Sequence, residues 1–118
     1  MIKHIVNAQY KDGQQFFTKY IGDAISPYLG RINLRDRNLT IDIQGEVGER
    51  GDLVDLKAIN SSSGEIAEGL INRLRTLPPL SPATADGKPV RQEFVITFII
   101  SNGGYQYSYR FLPVKPDQ

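Results

Sequence analysis

At 118 residues the chain has room for one domain, since domains commonly run to about 100–150 residues. Its apolar fraction of 40% and charged fraction of 23% are those of globular proteins, which excludes disorder by composition. Lys and Arg total 14 against 13 Asp and Glu, divided 8 to 8 over residues 1–60 and 6 to 5 over 61–118. No basic stripe is therefore available for counter-ion release, and nucleic acid is disfavoured as a partner.

With no Cys, the chain has neither a disulfide framework nor a thiolate metal site, and periplasm and cytosol both stay open as compartments. The longest apolar run, Phe94 to Ile100, is far short of the roughly 20 residues that cross a bilayer, and Met1 to Tyr10 lacks the apolar core of a signal peptide. A soluble fold is expected.

From residue 13 to Leu29 the residues Phe16, Phe17, Tyr20, Ile21, Ala24, Ile25 and Tyr28 recur at helical spacing, predicting a first helix that ends around Ser26-Pro27 and Gly30. Leu39, Ile41, Ile43 and Val47 then alternate with Thr40, Asp42, Gln44 and Glu46, the pattern of a half-buried strand. Gly45 marks a bulge or a close backbone approach within it. Glu49-Arg50-Gly51-Asp52 supplies a turn into a second strand, with Val54, Leu56 and Ala58 on one face and Asp55 and Lys57 on the other.

Ser62 and Glu65 stand at capping-box spacing before Ile66, Leu70, Ile71, Leu74 and Leu77, so a second helix is predicted from about Ser63 to Thr76. Pro78-Pro79 ends it and leads into a stiff, extended loop through Leu80 and Pro82. Asp86-Gly87 is read as opening a long strand whose even positions Val90, Phe94, Ile96, Phe98 and Ile100 form the apolar face. Asn102-Gly103-Gly104 provides hairpin-turn residues, after which Tyr105, Tyr107, Tyr109 and Phe111 alternate with polar residues in a fourth strand.

The predicted fold class is α+β: two helices packed on one face of a three- to four-stranded antiparallel sheet, in the order α-β-β-α-β-β. Residues 1–112 form the single domain, and 113–118 a loose tail. Phe16, Ile25, Leu70 and Leu74 are expected to pack on Ile96 and Phe98.

Little in the sequence points to catalysis. His4 is the one histidine and has no partners at ligand or triad spacing. The carboxylates fall on turns, on polar strand faces and in the first turn of a helix, where Glu65 and Glu68 complement its dipole. Gly45, Gly48 and Gly51 are spaced by three, but Glu46 and Glu49 between them would repel phosphate. Arg50-Gly51-Asp52 reads as a turn, and the acceptor patterns Asn38-Leu39-Thr40 and Asn60-Ser61-Ser62 as coincidence. Without a basic groove, the row Tyr105, Tyr107 and Tyr109 reads as residues that pack on the helices or cover the sheet, and not as a stacking platform for bases or sugars. No catalytic residue, metal ligand, cofactor or small-molecule substrate is expected.

The run Ile66-Ala67-Glu68-Gly69-Leu70-Ile71-Asn72-Arg73-Leu74-Arg75-Thr76-Leu77-Pro78, followed by Pro82-Ala83, Asp86-Gly87-Lys88-Pro89-Val90 and Phe94-Val95-Ile96-Thr97-Phe98, resembles the C-terminal domain of TonB proteins. Upstream, Ile41, Ile43, Val47, Gly51, Leu53 and Asp55 look like that family's first hairpin. Gly13 with Tyr20-Ile21 looks like the leading helix of its Bacteroidetes-type members. The likeness covers roughly residues 10–100. Departures are Lys11-Asp12-Gly13 where the family has Pro-Gly-Gly, and Gly45 where it has an apolar strand residue.

The resemblance implies a non-enzymatic periplasmic module, tethered to the inner membrane by an anchor absent from this chain. Such a module grips an extended segment of an outer-membrane transporter by strand addition. It implies a gripping edge on the strand from Val90 to Ile100, with Val90, Arg91, Glu93, Val95 and Thr97 along it and Leu80 and Pro82 beside it. The competing expectation is an envelope adaptor or homodimerisation domain of the same fold, with a protein or peptide partner in either case.

Overall fold

Asp86-Gly87 and Asn102-Gly103 each close a two-residue hairpin. In the computed structural model, which describes residues 4–9, 14–32, 38–59 and 64–114, Asp86 and Gly87 have φ of 52° and 85°, and Asn102 and Gly103 have φ of 53° and 84°. Positive φ at both central positions gives the turn a twist that matches its flanking strands, and Asn-Gly and Asp-Gly tolerate it best.

The elements in chain order are β1 (Ile5–Val6), α1 (Gln14–Leu29), β2 (Leu39–Val47), β3 (Leu53–Ala58), α2 (Gly64–Leu74), β4 (Ala83–Ala85), β5 (Lys88–Val90), β6 (Gln92–Ser101) and β7 (Gly104–Phe111). Four of the strands form an antiparallel sheet in the order β3-β2-β6-β7, and β1-β4-β5 form a separate small antiparallel ribbon. The expected α+β class with an antiparallel sheet is present. The ribbon is an addition to the expected order.

The ribbon corrects one expectation directly. Asp86-Gly87 does not open a long strand but turns β4 into β5, and the strand run is broken at Arg91, between β5 and β6. Pro89 lies opposite Thr84 within the ribbon. A proline there cannot donate to a ladder, so it suits a short outer strand and not the middle of a long one.

One face of the four-stranded sheet holds the core. Ile41, Ile43 and Val47 of β2 and Phe94, Ile96, Phe98 and Ile100 of β6 are fully or almost fully buried, alongside Phe17, Ile21, Ile25 and Leu29 of α1 and Leu70 and Leu74 of α2. The core positions predicted at Ile25, Leu70, Leu74, Ile96 and Phe98 are all buried. The Phe16 side chain and the Ser62 cap lie outside the described residues. Helix α1 runs through Pro27 to Leu29, in keeping with the expected end around Ser26-Pro27 and Gly30. The amide of Gly30 then bonds the Ser26 carbonyl at 2.8 Å.

Gly45 sits at a β-bulge where the β2–β3 register shifts between Gln44 and Glu46. A Cβ there would lie 2.6 Å from Leu56 Cδ2 and 3.1 Å from the Phe94 ring, so glycine lets both side chains close over the strand. The bulge overturns the simple alternation read for β3. Asp55 takes φ of 54°, Val54 pairs with Glu46 on the open face, and Leu53 pairs with Val47 on the core side. Gly51, with φ of 88°, lies so close to the Leu80 backbone that no side chain fits, and the Leu80 amide bonds the Gly51 carbonyl at 2.9 Å. The loop after α2 is thereby pinned to the β2–β3 turn. At the other end Val114 is buried in the core, so the chain stays packed beyond the expected boundary at 112.

Candidate functional site

The structure places the five residues expected along the gripping strand, and the two expected beside it, in several settings. Leu80 is buried in the core cluster, Pro82 is half-buried ahead of β4, and Val90 ends β5 opposite Ala83. Arg91 lies between the two sheets' strands and pairs its guanidinium with Glu46, and with Asp55 Oδ2 at 2.9 Å, across the β3 bulge. Glu93, Val95 and Thr97 project from the face of β6 opposite the core. There Thr97 Oγ1 donates to Asp42 Oδ1 at 2.6 Å, and Val95 is buried.

These residues do not line an open edge. Strand β6 is bonded along one row to β2, from Gln92 to Ile100, and along the other to β7, from Phe94 to Ser101. The expected edge at Val90–Ile100 is therefore corrected, because an interior strand has no free amide row to offer a guest. The fourth strand pairs in place, and the edges of the main sheet are β3 and β7.

The edges differ in how they are defended. β3 has six residues, a bulge at the positive-φ Asp55, and Lys57, all of which discourage another strand from pairing. In the ribbon, outer β5 carries Lys88 and Pro89, and outer β1 has only two residues. β7 has eight residues in unbroken register with β6 and contains no Pro, no Lys and no bulge. It is the longest regular edge among the described residues.

The direction of the β7 backbone groups follows from its turn. A two-residue loop makes Ser101 and Gly104 a hydrogen-bonded pair, and bonded and non-bonded pairs alternate from there. The 2.9 Å bond from the Leu112 amide to the Glu93 carbonyl, further down the same ladder, fits that phase. Gly104, Gln106, Ser108 and Arg110 thus spend their backbone groups on β6. Tyr105, Tyr107, Tyr109 and Phe111 turn theirs outward. Among the described residues no strand pairs with that outer row.

The tyrosine side chains brace this edge from the core side. Tyr107 Oη donates to the Thr18 carbonyl of α1 at 2.9 Å, and Tyr105 Oη lies 2.8 Å from Ser26 Oγ. Phe17 packs against Tyr109 and Phe111 with ring centroids 4.5 and 5.8 Å apart. The row reads as a helix-packing surface, as the missing basic groove implies. Burial, with Tyr105 and Asp23 as lesser causes, pushes the Tyr107 phenol above its usual range. On the open face β7 presents Gln106, Ser108 and Arg110, all exposed.

A buried polar residue that periodicity passes over ties this region together. Gln92, 2% exposed, accepts from the Ala8 amide at 2.8 Å and donates to Asn7 Oδ1 at 2.8 Å and the Leu112 carbonyl at 3.0 Å. It joins the N-terminal segment, the start of β6 and the chain leaving β7. The available signal is its even position in the Phe94–Ile100 apolar register, where a polar residue must find buried partners. Among the described residues no cluster of three or more His, Cys, Asp or Glu is placed to hold a metal ion.

No family model, characterised protein or solved structure matches this chain.

Proposed function

We propose that the chain is a non-enzymatic, TonB-like binding module of the Gram-negative periplasm, held to the inner membrane through a segment outside this chain. It docks an extended segment of an outer-membrane transporter or other envelope partner by β-strand addition. The observation that carries this reading is the eight-residue β7, paired on one side only and without the bulge, Pro or Lys that guards the other edges. A guest strand bonding to the outer row of β7, at Tyr105, Tyr107 and Phe111, gains main-chain hydrogen bonds, while side chains beside Gln106, Ser108 and Arg110 select its sequence. The aromatic packing on α1 keeps the edge straight before the guest arrives, which lowers the ordering cost of docking. The resemblance supplies the partner class; the position of the free edge moves the docking strand from β6 to β7.

The test is site-specific photo-crosslinking in the native envelope, with benzoylphenylalanine at Gln106, at Ser108, and at Lys57 on the guarded edge. Adducts from the two β7 positions to a segment adjoining an outer-membrane barrel, and none from Lys57, are expected. Adducts to a second copy are recognised by mass and counted apart. Equal capture from Lys57, or no envelope partner at either β7 position, overturns the proposal.

A further inference from the structure

Residues 4–9 lie along β4 in a seat that other elements build. Ile5 pairs with Ala85 and Val6 with Thr84, and Gln9 exchanges backbone bonds of 3.0 and 2.6 Å with Ser81. In the register of those pairs Ala8 falls opposite Pro82, whose nitrogen carries no hydrogen. The Ala8 amide goes instead to Gln92 Oε1, while Asn7 Oδ1 accepts from Gln92 Nε2.

The segment holds on by little besides its main chain. Ala8 is buried, but His4, Ile5, Val6, Asn7 and Gln9 are exposed, Ile5 at 45% and Val6 at 36%. Its side chains therefore supply one buried methyl and the Asn7 carboxamide, a small apolar contribution. The seat, by contrast, is fixed without its occupant. β4 is paired on its other side with β5, Ala83 is wholly buried in the core, and the Leu80 amide is bonded to the Gly51 carbonyl. Gln92 belongs to β6 and also donates to the Leu112 carbonyl. A segment with so few buried contacts opens at a lower free energy than the whole fold. Opening leaves a strand edge with the Gln92 carboxamide beside it.

We infer that residues 4–9 are an exchangeable strap, and that their seat between β4 and Gln92 takes an extended segment of a partner protein in their place. The chemistry of the seat specifies the guest: Asn or Asp followed by Ala, Gly or Ser. The first side chain must accept from Gln92 Nε2, and the second residue must bring its amide to Gln92 Oε1, because a guest that answers neither leaves buried polar groups unpaired. A larger side chain at the Ala8 position has no room, since that residue is 0% exposed. This site lies off the four-stranded sheet and does not depend on the reading of β7.

The probe is a fluorescein-labelled peptide of residues 3–10, followed by anisotropy against the full chain. The unsubstituted chain should bind it weakly, because its own strap competes and lowers the apparent affinity to the fraction of molecules that are open. Ala8→Leu in the chain evicts the strap and should tighten binding about tenfold or more, whereas the same change in the peptide should abolish binding. Val6→Pro in the chain removes an amide from the β4 pairing at an exposed position, and should tighten binding likewise even if Ala8→Leu fails to fold. Chemical-shift mapping should place the bound peptide at Ser81, Thr84 and the Gln92 carboxamide. Equal affinity for the parent and the folded variants, binding of the peptide that carries Ala8→Leu, or shifts confined to β7 overturns the inference.

Discussion

Replacing Gln92 by Leu keeps the side chain's approximate size and removes all of its hydrogen-bonding groups. Three bonds of 2.8 to 3.0 Å are lost together. At about 1 kcal/mol net for each bond the loss is about 3 kcal/mol. The orphaned Ala8 amide, buried with its residue fully covered, adds desolvation cost, which the apolar gain of Leu partly offsets. Against a typical stability of about 5–15 kcal/mol this is a large fraction. In urea titration followed by far-UV circular dichroism, it should lower the midpoint by roughly 1–3 M at slopes of about 1–3 kcal/mol/M. Amide exchange should show Ala8 deprotected well before the centre of β6. Gln92→Glu gives a sharper version: it keeps an acceptor for Ala8 but sets a buried carboxylate against two oxygens, which raises its folded pKa. A raised acid pKa means the folded state holds its proton longer, so this variant should gain stability relative to the parent as pH falls from the raised folded pKa to the usual Glu value of about 4.3, and level off below it. A loss below roughly 0.5 kcal/mol for Gln92→Leu, the scale of a surface change, would refute the clamp.

Leu74 is fully buried in α2, so Leu74→Ala should cost about 2–5 kcal/mol in chemical denaturation; a surface-scale change would remove α2 from the core. Because burial raises the Tyr107 phenol above its unfolded value, its contribution is complete below about pH 10 and is lost as pH rises from there through the folded pKa. Denaturation midpoints taken from pH 8 to 11 should fall at the alkaline end, and less steeply in Tyr107→Phe. Identical slopes in both proteins would exclude Tyr107 as a source of the alkaline loss.

Much of this protein was legible from local pattern alone. Period-2 alternation located β2 with its ends at Leu39 and Val47, and helical spacing located α1 and α2, because burial on one face imposes its period on the residues that face it. Asn102-Gly103 announced the β6–β7 hairpin, since few residues tolerate positive φ at both turn positions. Even the bulge at Gly45 was signalled by a glycine inside a strand. Which edge stays open was decided only by the tertiary structure. Strand order depends on pairings between residues distant in sequence, such as Ile43 with Ile96, and neither alternation nor propensity encodes such a neighbour. The break at Arg91, the ribbon that β4 and β5 form with the N-terminal β1, and the Gln92 clamp arise the same way. The β1–β4 pairing and the Gln92 clamp satisfy polar groups with partners some 80 residues away, and Arg91 reaches Glu46 and Asp55 on two other strands; a reading of one segment at a time has no means to find them.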